Sequence, residues 1–375
     1  MNRFRFFLMV MLTASALTLA GCDGGGGSSA PPPGDGEPTP PLPGSSLSSI
    51  DLGQLQGSTF SAAVDVSDNR QHVVGMADDI QGDLHAVHWE IVDGVAIGPE
   101  RLELLTGGTF GSAYAVNAQA QIVGESEDDA LNVQAVLWQG PTGSPTVLPA
   151  LAAGRFNAAY GISDGGIIVG ESTEAGTPHA VVWIVDVNGV PLTGPLRVTE
   201  PDGATDSAAY SVNSALQAVG EYTTAAGASQ AILWTLNADG TTAAMTDLPA
   251  LPGHIESVAH ALNGGNQVVG ESKSASGVSH AVVWDISVQP PGVPLDISAA
   301  AGGNAVALNE NGRTAGWNID ADGVNAAAIW NIDAADPTVF GSIAGATEGF
   351  AEAYGLNSRG DVVGLSGTQA FLAVE

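Results

Sequence analysis

The sequence predicts an all-β fold, a seven-bladed β-propeller with four-stranded blades. A Val-Gly pair (Ala-Gly in the sixth unit) recurs seven times at spacings of 46 to 50 residues, and four strand-sized pieces fill each repeat. Repeats of about 40 to 50 residues with four strands each are typical of propeller blades. The glycines that mark the units are Gly75, Gly124, Gly170, Gly220, Gly270, Gly316 and Gly364.

The first strand of each unit, strand a, has the most regular pattern. An alanine, a larger residue, a small residue and an aliphatic residue follow one another, as in the stretch "AYGI" that begins at Ala159. Small and large residues therefore alternate with the period of two that is typical of a strand. Small side chains let backbones approach closely, as the innermost strands near a propeller axis must. Asp65 alone departs from the small-residue column.

Strand a ends at a serine or an asparagine, and strand c contains a tryptophan. Serine and asparagine cap tight turns through their own side chains, so this column predicts hairpin turns. The column comprises Ser67, Asn117, Ser163, Asn213, Asn263, Asn309 and Asn357. The tryptophan lies 13 or 14 residues after the glycine in six units, and Ala373 takes its place in the seventh.

The last unit has no fourth strand after its strand c. A piece that resembles strand d, "SSIDLGQLQG", instead precedes the first strand a. We therefore predict that residues 49–55 pair with the terminal "AFLAV" and complete the seventh blade. Closure of this kind removes the free edge that an open ring would expose.

The first 47 residues are predicted to lie outside the propeller. Residues 1–21 contain two arginines, an apolar run too short for a comfortable membrane span and then small residues, the layout of a secretory signal peptide. The sequence "LAGC" resembles the lipobox of bacterial lipoproteins, which implies cleavage before Cys22 and lipidation of its thiol. Residues 22–47, rich in glycine, serine and proline, predict a tether, and residues 48–375 form the propeller.

The formal charge of −31 argues against two classes of partner. A dense negative surface repels phosphate, and no basic stripe is present, so we expect no nucleic-acid binding. For the same reason we expect contact with the membrane through the lipid anchor only. Cys22 is the single cysteine, so the fold must be stable without an internal disulfide.

Two stretches resemble the HAF family of bacterial extracellular repeats: "DLGQLQGSTFSAAVDVSDNRQHVVGMADDIQGDLHAVHW" and "AHALNGGNQVVGESKSASGVSHAVVW". Members carry a leucine-glycine opening, a V-V-G pair and His-Ala-Phe before Leu-Trp. The resemblance covers about residues 50–375, although His-Ala-Val replaces His-Ala-Phe at His85, His179 and His280. It implies secretion and a propeller-like repeat, and it implies no established activity.

The histidine column gives no indication of catalysis. Glutamine and alanine replace histidine in four units, so we interpret the column as hydrogen-bond donors and not as metal ligands or bases. Metal-ligand spacing, a Gly-x-Ser-x-Gly elbow and the repeated boxes of sialidase-like propellers are absent from the sequence. The sequence therefore predicts a protein that is not an enzyme.

The position after the marker glycine is the main candidate for ligand binding. Met76, Trp317 and Leu365 occupy it in three units, and glutamate occupies it in four consecutive units: Glu125, Glu171, Glu221 and Glu271. Equivalent positions form a ring in a propeller, so an acidic arc should face an apolar arc. These glutamates are either solvated strand-end carboxylates or a surface for a cation or a cationic ligand. In the second case Trp317 is a candidate stacking platform for a sugar or a peptide.

Two oxygen-rich loops make calcium a candidate cofactor. They are residues 77–83 and 318–323, and the second contains Asp320 and Asp322 as candidate ligands. Neither loop has the length and final glutamate of an EF-hand, so solvated loops between strands b and c are the alternative.

Two functions remain open. The first is a monomeric, lipid-anchored binding or scaffolding module of the bacterial cell envelope, at the outer rather than the inner membrane, periplasmic or surface-exposed, with an unknown protein or glycan ligand. The second is a hydrolase or lyase of extracellular polysaccharide. Such an enzyme needs two carboxylates, or a carboxylate and a base, within about 10 Å in one pocket.

Overall fold

The computed structural model describes residues 48–152, 156–298, 301–320, 322–332, 339–340 and 350–374. The predicted signal peptide, Cys22 and the tether lie outside these residues. The described part of the chain is all-β. It contains no helix long and apolar enough to span a bilayer.

The described residues form 28 strands. The first three blades and the strand before them contain β1 (Ser48–Asp51), β2 (Ser61–Val66), β3 (His72–Asp78), β4 (Leu84–Val92), β5 (Val95–Arg101), β6 (Gly111–Val116), β7 (Gln121–Glu127), β8 (Val133–Gln139), β9 (Thr146–Val147), β10 (Asn157–Ile162), β11 (Ile167–Glu174), β12 (Thr177–Val185) and β13 (Pro191–Arg197). The remaining strands are β14 (Asp206–Val212), β15 (Gln217–Thr223), β16 (Ser229–Leu236), β17 (Thr242–Leu248), β18 (His254–Leu262), β19 (Gln267–Ser274), β20 (Ser279–Asp285), β21 (Leu295–Asp296), β22 (Gly303–Leu308), β23 (Arg313–Ile319), β24 (Asn325–Asn331), β25 (Val339–Phe340), β26 (Ala351–Leu356), β27 (Val362–Ser366) and β28 (Gln369–Val374).

The strands form seven antiparallel sheets of four, which confirms the seven-bladed propeller. Blades 1 to 6 take their strands a to d in chain order, from β2–β5 to β22–β25. Blade 7 consists of β26, β27, β28 and β1. Strand a of every blade packs beside strand a of the next, and β26 packs beside β2, so the ring is closed.

The predicted closure by the N-terminal strand is also confirmed. β1 pairs with β28 in the register that places Ile50 opposite Leu372, and the amide of Leu52 donates to the carbonyl of Ala370. The ladder ends there because Gly53 turns the chain with a positive φ of 76°, and its amide donates to the carboxylate of Asp51. The paired segment is therefore shorter than the predicted 49–55.

The hydrophobic core lies between the blades. The described residues contain seven buried clusters, each of which combines side chains from two consecutive blades. The six strand-c tryptophans are fully buried at six of these interfaces. Several indole N–H groups donate to a backbone carbonyl in the segment that connects the preceding blade to their own. Trp138, for example, donates to the carbonyl of Glu103 at 2.7 Å. At the interface between blades 6 and 7, Phe371 and Ala373 take the place of a tryptophan.

A β-bulge in each blade explains the marker glycine. In each blade, the pairing register between strands a and b shifts at the larger residue that follows the recurring alanine of strand a. In blade 4 the shift lies between Ala209 and Ser211. The marker glycine lies opposite this bulge, where a Cβ atom would come within 2.0–2.1 Å of a strand-a carbonyl oxygen in all seven blades. Only glycine fits such an approach. The strict alternation predicted for strand a is thus interrupted, because a bulge adds one residue to one side of the pair.

Candidate functional site

The bulges bring the larger residues of strand a together inside the propeller. The rings of Tyr114, Tyr160 and Tyr210 follow one another at centroid distances of 5.4 and 5.7 Å, and His260 follows Tyr210 at 6.0 Å. The hydroxyl of Tyr114 donates to the carboxylate of Glu125 at 2.8 Å. Tyr160 and Tyr210 donate in the same way to Glu171 and Glu221, at 2.9 and 2.8 Å. We call these seven residues and Glu271 the tyrosine–glutamate belt.

The belt corrects the predicted acidic arc. Glu125, Glu171, Glu221 and Glu271 expose only 2–7% of their surface, so they are not solvated strand-end carboxylates and do not form an open surface for a ligand. The amide of Asn304 donates to Glu271 at 3.3 Å. The arc is buried because β7, β11, β15 and β19 are second strands covered by the neighbouring blades, and the bulge directs a tyrosine hydroxyl onto three of the carboxylates.

Burial shifts the pKa of Glu125 and of His260 in opposite directions. Loss of hydration raises the pKa of Glu125 to about 8, with a further contribution from the nearby Glu171, against the lowering effect of the Tyr114 hydrogen bond. Burial lowers the pKa of His260 to about 4, and neither ring nitrogen has a hydrogen-bond partner among the described residues. At neutral pH, Glu125 is therefore largely protonated and His260 is neutral.

Trp317 is also buried, with 9% of its surface exposed. It lies in β23 opposite Asn304. A stacking platform needs an open ring face, so the prediction that Trp317 stacks on a sugar or a peptide is not supported by its position. The cause is the same as for the glutamates, because this column lies on the second strand of each blade.

The oxygen-rich loops are turns capped by their own aspartates. The carboxylate of Asp320 accepts bonds from the amides of Asp322 and Val324, both at 2.9 Å. In the first loop, Asp79 accepts from the amide of Gln81 and contacts His85. Among the described residues, no group of three or more histidine, cysteine, aspartate or glutamate side chains is placed to hold a metal ion. Calcium binding by Asp320 and Asp322 remains a prediction.

The three histidines of the histidine column are hydrogen-bonded, as predicted. His85 contacts Asp79 at 2.9 Å, and His179 contacts Glu200 at 2.8 Å. Gln134, at the same position in blade 2, donates to Asp128 at 3.0 Å. A glutamine can replace the histidine because both side chains supply an N–H donor.

A pocket opens at one end of the axis, where strands a turn into strands b. We call it the axial pocket. Its volume is about 200 Å³. Its wall contains the aliphatic residues that end strand a, namely Val66, Val116, Ile162, Val212, Leu262 and Leu356. Its carboxylates are Asp65, Asp68, Asp164 and Glu310, and its lining contains no lysine, arginine or aromatic residue among the described parts of the chain.

The rim of the axial pocket is a ring of contacts between neighbouring turns. The side-chain amide of Asn309 donates to the carbonyl of Asn357 at 2.9 Å, and Asn357 donates to Ser67 at 3.2 Å across the closure of the ring. The side chain of Asp164 reaches back to the preceding blade, where its carboxylate accepts from the amide of Ala118 at 2.9 Å. The predicted turn caps are confirmed, and they also connect the blades to one another.

Asp65 lies deeper than the rim carboxylates. Its two oxygens accept from the amides of Val66 and of Val116 in the next blade, both at 2.8 Å. Loss of hydration nevertheless raises its pKa to about 7, with a smaller contribution from Asp68. Sequence reasoning noted Asp65 as the exception in a small-residue column but did not connect it with a pocket.

Sequence reasoning missed buried carboxylates in blade 7, of which Glu352 is one. Glu352 is fully buried, and it accepts from the hydroxyl of Tyr354 and the amide of Asn325, both at 2.6 Å. The other blades have alanine, serine, valine or asparagine at its position, so the repeat contains no signal for it.

Comparison with known proteins supports the fold. No family model matches the chain, and no curated protein matches it. Among solved structures, a puromycin hydrolase mutant complexed with PGG has a TM-score of 0.51 at 12% identity over 84% of this chain, which spans about half (52%) of that protein. A putative TolB from Agrobacterium tumefaciens has a TM-score of 0.44 at 12% identity, covering 67% of this chain and 89% of its own. The BP39L lectin from Burkholderia pseudomallei has a TM-score of 0.46 at 16% identity, covering 75% and 84%. At 12% identity, the similarity to the puromycin hydrolase mutant shows the fold alone.

Proposed function

We propose that this protein is a lipid-anchored binding or scaffolding module of the bacterial cell envelope, and that its ligand enters the axial pocket. The axial pocket is the observation that supports binding, because it is a concave site at which polar groups from several blades come together. The lipobox-like sequence that ends at Cys22 and the tether support the anchor. The proposed location is the outer rather than the inner membrane, either periplasmic or surface-exposed. The ligand is a protein or a glycan that places one small group in the pocket.

The polysaccharide hydrolase or lyase is the weaker candidate. The axial pocket gathers four carboxylates, and such an enzyme requires two. Its volume of about 200 Å³ is however below the roughly 300–1,000 Å³ of pockets that hold drug-sized ligands. Three of the carboxylates, Asp68, Asp164 and Glu310, already accept bonds from backbone amides of the preceding blade. A pocket of this size suits one small group better than a sugar chain.

The anchor is tested by labelling cells that express the full chain with an alkyne fatty acid. The wild type should carry the label and sediment with membranes. Cys22→Ala should lose the label, and Ser28→Ala in the same segment should keep it. An unlabelled wild-type chain, or a labelled Cys22→Ala chain, would contradict lipidation at Cys22.

Binding is tested by a glycan and protein array with the wild type and with Ala118→Trp. Ala118 is an exposed residue of the pocket lining, so tryptophan there should block the opening without entering a core. Ligands of the axial pocket should bind the wild type and lose binding to the variant. If every ligand binds both proteins equally, the axial pocket is not the site. Release of shortened glycans by the wild type would favour the enzyme.

A further inference from the structure

Two histidines meet at the end of blade 5 that lies away from the axial pocket. His254 begins strand β18, whose other end contributes Leu262 to the pocket lining, and His280 lies in β20. Their ring centroids are 5.1 Å apart, with an angle of 71° between the ring planes. Both side chains are partly exposed, so a solute can reach them. We call His254 and His280 the histidine pair.

Each ring of the histidine pair is held through its Nδ1 atom. Nδ1 of His280 lies 2.9 Å from the carboxylate of Asp296, so this nitrogen carries the proton and donates it. Nδ1 of His254 lies 3.0 Å from the hydroxyl oxygen of Ser272. Ser272 can direct its own proton to the carbonyl of Glu256 at 3.4 Å, so His254 is the donor in this bond. Neither Nε2 atom has a hydrogen-bond partner among the described residues, and both lone pairs are therefore available to a ligand.

This arrangement is typical of histidines that bind a metal ion. Such a histidine almost always donates its other ring N–H to a carboxylate, a carbonyl or water, which fixes the tautomer and the orientation of the ring. Asp296 acts in this way on His280, and Ser272 acts similarly on His254. Two imidazoles bound to one tetrahedral Zn²⁺ at about 2.0–2.1 Å have ring centroids roughly 5 Å apart. The observed distance of 5.1 Å matches this spacing.

The other histidines with side-chain partners lack this combination. His179 contacts a carboxylate, that of Glu200 at 2.8 Å, but no second histidine ring contacts it within the described part of the chain. His72 and His88 contact each other, with Nδ1 of the first 2.9 Å from Nε2 of the second, so each ring already uses a nitrogen on its neighbour. The histidine pair has both adjacent rings and two unused nitrogens.

We infer that His254 and His280 bind one divalent transition-metal ion through their Nε2 atoms, with Asp296 positioning the ring of His280. Imidazole suits Zn²⁺, Cu²⁺ and Ni²⁺, whereas Ca²⁺ takes oxygen ligands. No group of three or more histidine, cysteine, aspartate or glutamate side chains is placed for a metal among the described residues, so water or a bound ligand completes the coordination. The formal charge of −31 attracts cations. The inference does not depend on the axial pocket.

The inference is tested by calorimetric titration of the full chain carrying Cys22→Ala, with Zn²⁺ alone as the probe. This substitution removes the only thiol, and purification without a histidine tag leaves no other strong metal ligand. The chain should bind one Zn²⁺, and an excess of Ca²⁺ should not displace it. In NMR spectra, Zn²⁺ should shift the ring signals of His254 and His280 and leave those of His179 unchanged.

Three variants in the same background locate the metal. His254→Gln and His280→Gln should each abolish Zn²⁺ binding, because each removes one of the two nitrogen ligands. Glutamine takes the place of His280 in three other blades, so this variant should fold. His179→Gln is the matched control, since His179 has the carboxylate contact without a second histidine, and it should bind Zn²⁺ normally. Melting curves show whether each variant is folded.

The positioning role of Asp296 is tested by Asp296→Ala. Loss of a group that orients a metal-binding histidine costs about 10–100-fold in metal affinity, and we expect a loss in this range. The ring nitrogen chemical shifts of His280 should also change in the absence of metal, because its tautomer is no longer fixed. A purely structural role would not move these shifts. The melting curve should change little, since the Asp296 side chain is 38% exposed.

Several outcomes would overturn the inference. They are the absence of Zn²⁺ binding to the chain with an intact histidine pair, binding that persists in folded His254→Gln and His280→Gln, and equal loss of binding in His179→Gln. Unchanged affinity and unchanged ring shifts in Asp296→Ala would exclude Asp296 as the positioning residue. Loss of array ligands in Ala118→Trp would support the proposed function whatever the result with Zn²⁺, so the two proposals fail separately.

Discussion

Carboxylates at the axial pocket and carboxylates inside the propeller differ in their hydrogen-bond partners and in their exposure to solvent. At the axial pocket, Asp164 accepts from a backbone amide of the neighbouring blade and lies at the surface. Inside the propeller, Glu125 accepts from the hydroxyl of Tyr114, is 3% exposed and has a pKa raised to about 8. Carboxylates at the turns therefore connect blades, whereas Glu125 in the interior stays largely protonated at neutral pH. The acidic residues of this chain therefore do not all lie on its surface.

The largest expected effect comes from removing the bulge that builds the belt. Gly220→Ala would place a Cβ atom 2.0 Å from the carbonyl oxygen of Ala208, so strands β14 and β15 cannot keep their register. We expect a loss of more than about 3 kcal/mol of unfolding free energy, measured by urea denaturation. The control is Gly292→Ala, where no atom lies within 4 Å of the added Cβ. Similar stability of the two variants would show that the bulge is not required.

A smaller effect is expected from Glu125→Gln, which tests protonation in the interior. The native pKa of about 8 lies above the usual value of 4.5, so the native state binds more protons than the unfolded state between these pH values. Stability should therefore fall as pH rises through this window. Glutamine keeps an acceptor for Tyr114 and cannot ionise, so the variant should be more stable by about 2 kcal/mol at pH 8.

The measurement for Glu125→Gln is the unfolding free energy at pH 5 and at pH 8. The wild type should lose stability between the two values more than the variant does. Glu100→Gln, on the exposed strand β5, is the matched control and should keep the wild-type profile. Parallel profiles for wild type and Glu125→Gln would mean that Glu125 titrates normally.

The smallest of the three effects should come from the turns around the axial pocket. Asn309→Ala removes the acceptor of the Asn311 and Arg313 amides and the donor to Asn357. We expect a loss of about 1–2 kcal/mol, since each hydrogen bond contributes about 1 kcal/mol net. Thermal melting should show the shift, and Asn188→Ala in an exposed loop should not. A neutral Asn309→Ala would mean that the ring of turns contributes little to closure.

Local patterns predicted the turn caps and the histidine column well. Asn117 and its equivalents act on backbone groups two and four residues ahead, so their role depends on a short stretch of chain. Their bonds to the next blade could not be predicted, because that contact depends on the distance between turns 46 to 50 residues apart. The acidic arc was misjudged for a related reason: hydropathy alone does not show which strand of a blade the neighbouring blades cover.

The sequence by itself determined the number of blades, the position of each strand and the closure by the N-terminal strand. These follow from a repeat whose marker glycine recurs in all seven units and whose tryptophan and small residue each recur in six, so every local pattern is present several times. Only the tertiary structure decided which carboxylates are buried and which line the axial pocket. Burial arises when bulges and neighbouring blades place side chains from different repeats side by side. Glu125 and Asp65 both end in a carboxylate, and their surroundings in the closed ring make one a partner of tyrosine and the other part of a pocket.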